Sequence, residues 1–255
     1  MTAAKIWLTG ASSGIGQAFA RYYAERGATL GLVARRAEVL DDLRAQLPGV
    51  HAVYAADVCQ PASLAAAAAD FRDRFGVPDI VIANAGVSVG TLTEEHDDYQ
   101  AFETVFQTNV LGMVASFRPF VADMRRRGSG QLVGISSVAG VRGLPGAGAY
   151  SASKAAVSRY LESLRVELRH SGVKVTEIRP GFIRTPMTAV NPYRMPFILE
   201  VDEAVRRFAV AIDRGVSQAT IPWQMAVVAR LLPLVPNALY DRYAAQARRK
   251  PRGLR

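Results

Sequence analysis

The sequence predicts a doubly wound α/β domain: a parallel sheet with helices on both faces. Three observations carry this prediction. Short, fully apolar, β-rich runs alternate with helical patterns along most of the chain, which is the signature of a parallel sheet buried on both sides. A glycine-rich turn, LTGASSG, joins the first of these runs to the first helical stretch. The length, 255 residues with half of them hydrophobic, suits one well-buried α/β domain.

The elements follow in order. Ile6–Thr9 reads as a strand because it is apolar and runs straight into the glycine turn; the helix after it extends to about Arg26. Thr29–Ala34 reads as strand, Ala37–Leu47 as helix and Val50–Ala55 as strand. Pro61 opens an alanine-rich helix to about Phe75, since proline suits a first helical turn and alanine is the best helix former. Ile80–Ala83 is a short buried strand, Asp98 to Arg127 a long helical region and Gln131–Ile135 another strand. A helix over Tyr150–His170, a strand over Val173–Ile178 and a last strand at Gln218–Ile221 complete the alternation. With no repeat and no linker, residues 1–255 are expected to form one domain, with a substrate-loop region at 182–200 and a C-terminal extension at 222–255. Pro222, Pro233 and Pro236 exclude a long straight helix in that extension.

Composition removes several function classes. The single cysteine, Cys59, excludes an internal disulfide framework and fits a reducing compartment. The N-terminus lacks the long apolar region of a signal peptide, and no run of about 18 apolar residues offers a membrane span, so a cytoplasmic location is expected. Of the net charge of +9, +6 falls between Arg230 and Arg255. Charge gathered at a terminus reads as a solvated tail and not as a nucleic-acid groove, where cations would be interleaved with aromatics. His51, His96 and His170 are scattered without metal-ligand spacing, so no metal site is expected. No Gly-x-Ser-x-Gly with a matching triad supports hydrolase chemistry.

Two clusters point to chemistry. Gly10, Gly14 and Gly16 follow the first strand with the spacing G-x3-G-x-G. Glycines there permit a tight turn and close approach of the backbone to a pyrophosphate seated on the next helix N-terminus. The second strand ends in Ala34, Arg35 and Arg36. An acid at that strand end would hold the ribose 2′-hydroxyl of NAD(H); a guanidinium pair suits a 2′-phosphate, so NADP(H) is expected over NAD(H). In AYSASKAAV, Tyr150 and Lys154 stand four apart and so share a helix face. An ammonium beside a phenol favours the phenolate and lowers its pKa, giving a proton donor or acceptor near neutral pH.

From Lys5 to Met187 the chain resembles the short-chain dehydrogenase/reductase family. The resemblance rests on TGASSGIG at Thr9–Gly16, Asp57-Val58, NAG at Asn84–Gly86, Asn109, ISS at Ile135–Ser137, YSASK at Tyr150–Lys154, and PG at Pro180–Gly181 with Thr185 beyond. It implies a Rossmann-type fold and carbonyl–alcohol interconversion on a small, moderately apolar molecule. Tyr150 would be the general acid or base, Lys154 would lower its pKa and hold the nicotinamide ribose, and Ser137 would hydrogen-bond the substrate oxygen. Ser137, not Ser136, stands at the family's spacing from the tyrosine. Asn109 resembles the asparagine that anchors a water linking Lys154 to solvent. For the cofactor, the resemblance implies Gly10, Ser12, Ser13, Gly14, Ile15 and Gly16 at the phosphates, with Arg35 and Arg36 at the 2′-phosphate. Asp57 and Val58 would meet the adenine, and Asn84, Ala85 and Gly86 would allow close backbone approach. Tyr150, Lys154, Pro180, Gly181, Ile183 and Thr185 would surround the nicotinamide end.

Two readings stay open beside this one: a non-catalytic NADP(H)-binding regulator, and a 3-oxoacyl-carrier-protein reductase. Those reductases end soon after the final strand, whereas here a long apolar segment follows it. Phe182, Met187, Tyr193, Met195 and Phe197 give the loop over the site an apolar lining, and Arg142 reads as a surface cation. The family pairs its long helices between subunits. The helix from Tyr150 carries Ala156, Val157, Tyr160, Leu161, Leu164 and Leu168, too many apolar positions for one face. The extension adds Trp223, Met225, Val227, Val228, Leu231 and Leu232. A homodimer or homotetramer is therefore expected, with contact of the extension on an anionic membrane surface as the competing idea.

Overall fold

A computed structural model describes residues 4–253, which leaves Arg255 of the basic tail outside. The first half of the chain alternates strictly: β1 (Lys5–Thr9), α1 (Gly14–Ala24), β2 (Thr29–Ala34), α2 (Ala37–Gln46), β3 (His51–Ala55), α3 (Pro61–Phe75) and β4 (Ile80–Ala83). Then come α4 (Asp98–Phe106), a π-helical turn (Gln107–Leu111), α5 (Gly112–Arg127), β5 (Gly130–Ile135), α6 (Gly148–Glu167) and β6 (Val173–Pro180). The remainder is β7 (Ile183–Arg184), α7 (Pro186–Ala189), β8 (Leu199–Glu200), α8 (Val201–Arg214), β9 (Gln218–Ile221), α9 (Trp223–Leu231), a 3-10 turn (Leu232–Leu234) and α10 (Asn237–Ala244).

Seven strands form one parallel sheet in the order β3-β2-β1-β4-β5-β6-β9, and β7 pairs with β8 outside it. Every connection in such a sheet must cross over, which is why a helix follows each strand. Alternation along β1 sets the two faces. Ile6 and Leu8 join Phe19, Leu40 and Phe208 on one side, whereas Trp7 joins Phe71, Phe117 and Phe120 on the other. Trp7 lies 5.2 Å from the Tyr54 and Phe120 ring centroids and 5.5 Å from that of Phe71, which locks the second of these layers onto the first strand. Strand order reverses between β1 and β4, and the crevice at their carboxyl ends is where this architecture binds ligands.

Three expectations need correction. The helix α8 went unassigned in the sequence, yet it buries Ala204, Val205, Phe208, Ala209 and Ile212 and closes the sheet face shared with α1, Phe208 lying 6.1 Å from Phe19. The apolar positions of the helix from Tyr150, expected to divide between the protein's own sheet and a partner, fall mostly to the former: Val157, Leu161, Leu164 and Leu168 are buried in the core, while Ala156 and Tyr160 are half-buried. The tail, though largely exposed, does not hang free in solvent. Past α10 the chain turns back over the carboxyl ends of the strands, where Gly90 N donates to Pro251 O at 2.8 Å and Arg252 pairs with Glu95 at 2.9 Å and Asp98 at 2.8 Å. Asp98 is only 5 % exposed, so it needs that cation, and Arg252 holds its carboxyl below the usual carboxylate range.

Arg142 is likewise no idle surface residue. Its guanidinium donates to Leu232 O, Val235 O and Asn237 Oδ1 and stacks 4.0 Å over the Tyr240 ring, whose hydroxyl donates to Gly143 O. These contacts bend the extension back at the prolines. No helix among the described residues is long and apolar enough to cross a membrane.

Candidate active site

The crevice at the strand ends has a volume of about 480 Å³, within the range of small-molecule sites. Its floor is the turn between β1 and α1. Gly10 takes φ +69°, and a Cβ there would stand 2.7 Å from the Ala85 Cα; one on Gly16 would stand 2.0 Å from Gly10 O. No side chain fits at either position. Asn84 ties the turn to the end of β4, its Nδ2 donating to Thr9 O at 3.1 Å and Gly10 O at 3.2 Å. Thr9 Oγ1 in return accepts from Asn84 N and Ala85 N. The N-cap residue of α1, Ser13, makes no side-chain cap, which leaves the first-turn amides for an anion.

Ser12, Ser13, Gly14, Ile15, Arg35, Arg36, Asp57, Val58, Asn84, Ala85 and Gly86 all line the crevice. Arg36 reaches back to the turn, its Nη2 donating to Ser12 O at 3.2 Å and Ser12 Oγ at 3.1 Å. Asp57 Oδ1 accepts from Cys59 N at 2.9 Å, which fixes the bend after β3. At the far end stand Ser137, Tyr150, Lys154, Pro180, Gly181, Ile183 and Thr185. Gly16 supports the turn from beneath without lining the crevice, and Asn109 lies behind the wall, fully buried.

Ser136 and Ser137 diverge. Ser136 Oγ is buried and bonds Lys154 O at 3.1 Å and Ser158 Oγ at 3.0 Å. Ser158 in turn donates to the buried Glu177 carboxylate. That chain clamps α6 to β5 and β6. Ser137, extended at φ −168°, faces the crevice; its Oγ accepts from Ala139 N at 3.1 Å and lies near enough to the Tyr150 phenol to lower its pKa. Desolvation is nevertheless the larger effect and sets the Tyr150 pKa above its ordinary value. The expected lowering by Lys154 is absent for a structural reason. The ammonium is buried, lies 5.8 Å from the Tyr150 ring centroid and donates to Ile135 O at 2.9 Å, and burial brings its own pKa down to about 8.

Asn109 occupies the π-helical turn, a local feature often found at functional sites. Its Nδ2 donates to Val87 O and Ser153 Oγ, both at 3.0 Å, and its Oδ1 accepts from Val87 N at 2.8 Å. The side chain therefore pins the segment after Gly86. A Cβ on Gly86 would meet Asn109 Oδ1 at 3.2 Å and Lys154 Nζ at 3.7 Å, so both groups flank one glycine.

Sequence reasoning missed the crevice residues Thr104, Thr108 and Thr188, and also the tail. Arg248 Nη1 donates to Pro192 O, the Arg249 stem covers Gly146, and Lys250 Nζ donates to Ser88 Oγ at 2.8 Å, 6.0 Å from the Tyr150 ring centroid. Within residues 182–200, Phe182 and Tyr193 pack edge to face at 6.4 Å.

A parallel sheet with a glycine turn at its switch point defines a Rossmann-type α/β protein. The sequence profile described as short chain dehydrogenase matches residues 4–194, and the chain belongs to that family of oxidoreductases. An uncharacterized oxidoreductase of Myxococcus xanthus is 40% identical over 251 residues, covering 94% of this chain and 96% of its own. Among solved structures, a short-chain dehydrogenase from Sphingobium yanoikuyae in complex with NADPH is 29% identical, with a TM-score of 0.78 and 96% of each chain covered. A Burkholderia cenocepacia short chain dehydrogenase in complex with NADP is 27% identical, with a TM-score of 0.80, covering 94% of this chain and 96% of the other.

Proposed function

We propose that the protein is an NADP(H)-dependent oxidoreductase that interconverts a carbonyl and a secondary alcohol on a small, moderately apolar substrate. The observation that carries this reading is the convergence of Ser137, Tyr150 and Lys154 at one end of a crevice whose other end holds the glycine turn, Arg35 and Arg36. Features that support a dinucleotide are the exclusion of side chains at Gly10 and Gly16, the open helix amides, and the Arg35 and Arg36 guanidiniums in the crevice lining, which suit a 2′-phosphate. The two relatives solved with NADP or NADPH support the same choice. A bound nicotinamide would supply or accept the hydride.

The chain's own groups handle the oxygen and its proton. Ser137 Oγ orients the substrate oxygen, and the Tyr150 phenol donates a proton to it in reduction or accepts one in oxidation. A phenol of raised pKa is protonated at neutral pH, the form needed to donate. Lys154 holds the ribose, its ammonium fixed by Ile135 O at 2.9 Å. Asn109 keeps the Val87 backbone, and with it the wall beside Lys154, in register. NADPH oxidation against a panel of ketones and aldehydes tests the reading: turnover abolished in Tyr150→Phe supports it, and substantial turnover in that variant overturns it.

A further inference from the structure

The tail returns to the crevice with a cation that the family resemblance does not account for. Residues 248–252 form a strap beside the crevice and outside its lining, fastened at four points. Arg248 holds the substrate loop, Arg249 covers Gly146, Pro251 accepts from Gly90, and Arg252 bridges Glu95 and Asp98. Gly90 is tightly constrained, since a Cβ there would stand 2.3 Å from Lys250 O. Between these fastenings, Lys250 has little freedom to swing away.

Its Nζ donates to Ser88 Oγ at 2.8 Å and stands 6.0 Å from the ring centroid of Tyr150, which itself lines the crevice. The neighbouring acids Glu95 and Asp98 are both engaged by Arg252. Among the described residues, Lys250 forms no ion pair. Tyr150 and Tyr193 both have raised pKa values and stay neutral, so neither supplies a counter-charge. A partly desolvated ammonium with a serine hydroxyl and the edge of cation–π range to one ring, but no carboxylate, is poorly compensated, and desolvation draws its pKa down to about 8. A structural lysine would be paired with a carboxylate or turned to water. This one is held beside the phenol with its remaining donors directed at no protein acid.

We propose that Lys250 receives a carboxylate of the substrate, so that the molecule reduced is an oxo acid and the product the corresponding hydroxy acid. This rests on the carbonyl–alcohol reading of the site and names the substrate class within it. The carboxylate is unchanged in the reaction: the carbonyl carbon gains the hydride and its electron pair, the C=O π bond opens, and the carbonyl oxygen takes the Tyr150 proton. Lys250 thus acts as a specificity-determining residue and takes no part in the proton transfer.

The test compares a homologous series of straight-chain oxo acids with their methyl esters, using the full chain and NADPH. The wild type should prefer acid to matched ester in kcat/KM by about tenfold to a hundredfold, mainly through KM, as a charge-assisted hydrogen bond implies. In Lys250→Met that preference should fall to about one, and Lys250→Arg should restore most of it. A ratio unchanged in Lys250→Met, or a wild type that favours the esters, overturns the proposal while leaving the oxidoreductase reading in place. No turnover of any acid, ester or neutral ketone with NADPH or NADH would instead sink the oxidoreductase reading. Calorimetric titration of saturated, carbonyl-free carboxylates into the NADP(H)-loaded protein decides the matter for Lys250 in that case. Binding lost in Lys250→Met supports the contact, and equal affinity in the two proteins rejects it.

Discussion

Arg36, just beyond the end of β2, donates to Ser12 Oγ in the turn after β1 at 3.1 Å, across 24 positions of sequence. The contact holds a guanidinium against the glycine turn, while Ala34 supplies no carboxylate that would repel the 2′-phosphate of the proposed cofactor. Removing the charge should therefore act on one cofactor and spare the other. In Arg36→Ala, and more strongly in Arg35→Asp, NADPH should bind about tenfold to a hundredfold more weakly, with NADH changed only a few-fold. Titration of both cofactors checks this, and equal binding constants in the wild type would refute the NADP(H) assignment.

Tyr150 and Lys154 should separate in their effects. Tyr150→Phe keeps the ring and should leave NADPH binding nearly intact while lowering kcat by about 10²–10⁴, the scale of general acid–base catalysis. Lys154→Ala should damage both binding and turnover, because its buried Nζ lies beside Gly86 as well as near the phenol. Stopped-flow turnover alongside cofactor titration distinguishes the two patterns.

Stability should depend on pH through His51. The ring is 6 % exposed; Nδ1 accepts from Leu30 N at 3.3 Å and Nε2 donates to Pro48 O at 2.9 Å. The bond from Leu30 N needs a bare Nδ1 and so the neutral imidazole, and burial holds the pKa below its ordinary value. A depressed folded pKa means a stabilisation complete above the unfolded pKa of about 6.5 and lost as pH falls through the folded value. Thermal melts should show the midpoint falling from pH 7 toward pH 5, with this slope missing in His51→Ala. Parallel profiles for the two proteins would exclude the assignment.

Arg142 should control the extension. Its three donated bonds and its stacking on Tyr240 join the segment after β5 to the C-terminal helices. Arg142→Ala should cost about 1–3 kcal/mol of stability and leave carbonyls of the extension without their donor. Trypsin should then cut at Arg242, Arg248 and Arg249 well before the sheet is attacked. Unchanged cleavage kinetics would mean that the clamp is dispensable.

Self-association should involve other surfaces than the α6 positions first singled out. Tyr99, Phe102 and Leu111 are exposed on the α4–α5 side, and Trp223, Leu231 and Leu234 are exposed on the extension. Large apolar side chains gathered in this way mark contact surfaces. Light scattering on detergent-free protein should give a dimer or tetramer, with Leu111→Glu or Leu231→Glu shifting it toward monomer. A monodisperse wild-type monomer that sediments with anionic vesicles would favour a membrane contact instead.

Most of the sheet was legible because its signals are local. Thr29–Ala34 and Gln218–Ile221 coincide with β2 and β9, and Pro61–Phe75 coincides with α3. The glycines of the cradle were legible too, since a tight turn and close approach leave few alternatives. The α8 pattern, with Ala204, Val205, Phe208 and Ile212 at helical spacing, was present in the sequence but obscured by the proline-rich loop before it. The strap was not legible at all. Arg252 meets Asp98 across 154 positions, and no periodicity records such a pairing. Nor could spacing reveal that Lys154 bonds Ile135 O, or that burial raises the Tyr150 pKa.

The π-helical turn at Gln107–Leu111 acts as a phase shift between two lengths of helix. An α-helix advances about 100° per residue, so one residue deleted from this turn would restore the ordinary period by rotating α5 about 100° against α4. Asn109 would then swing away from Val87, and Phe117 and Phe120 would leave the Trp7 cluster together. Chain length in this segment is thus constrained by angle and not by reach. Insertions that a surface loop would absorb should be rejected here, whichever residue they add.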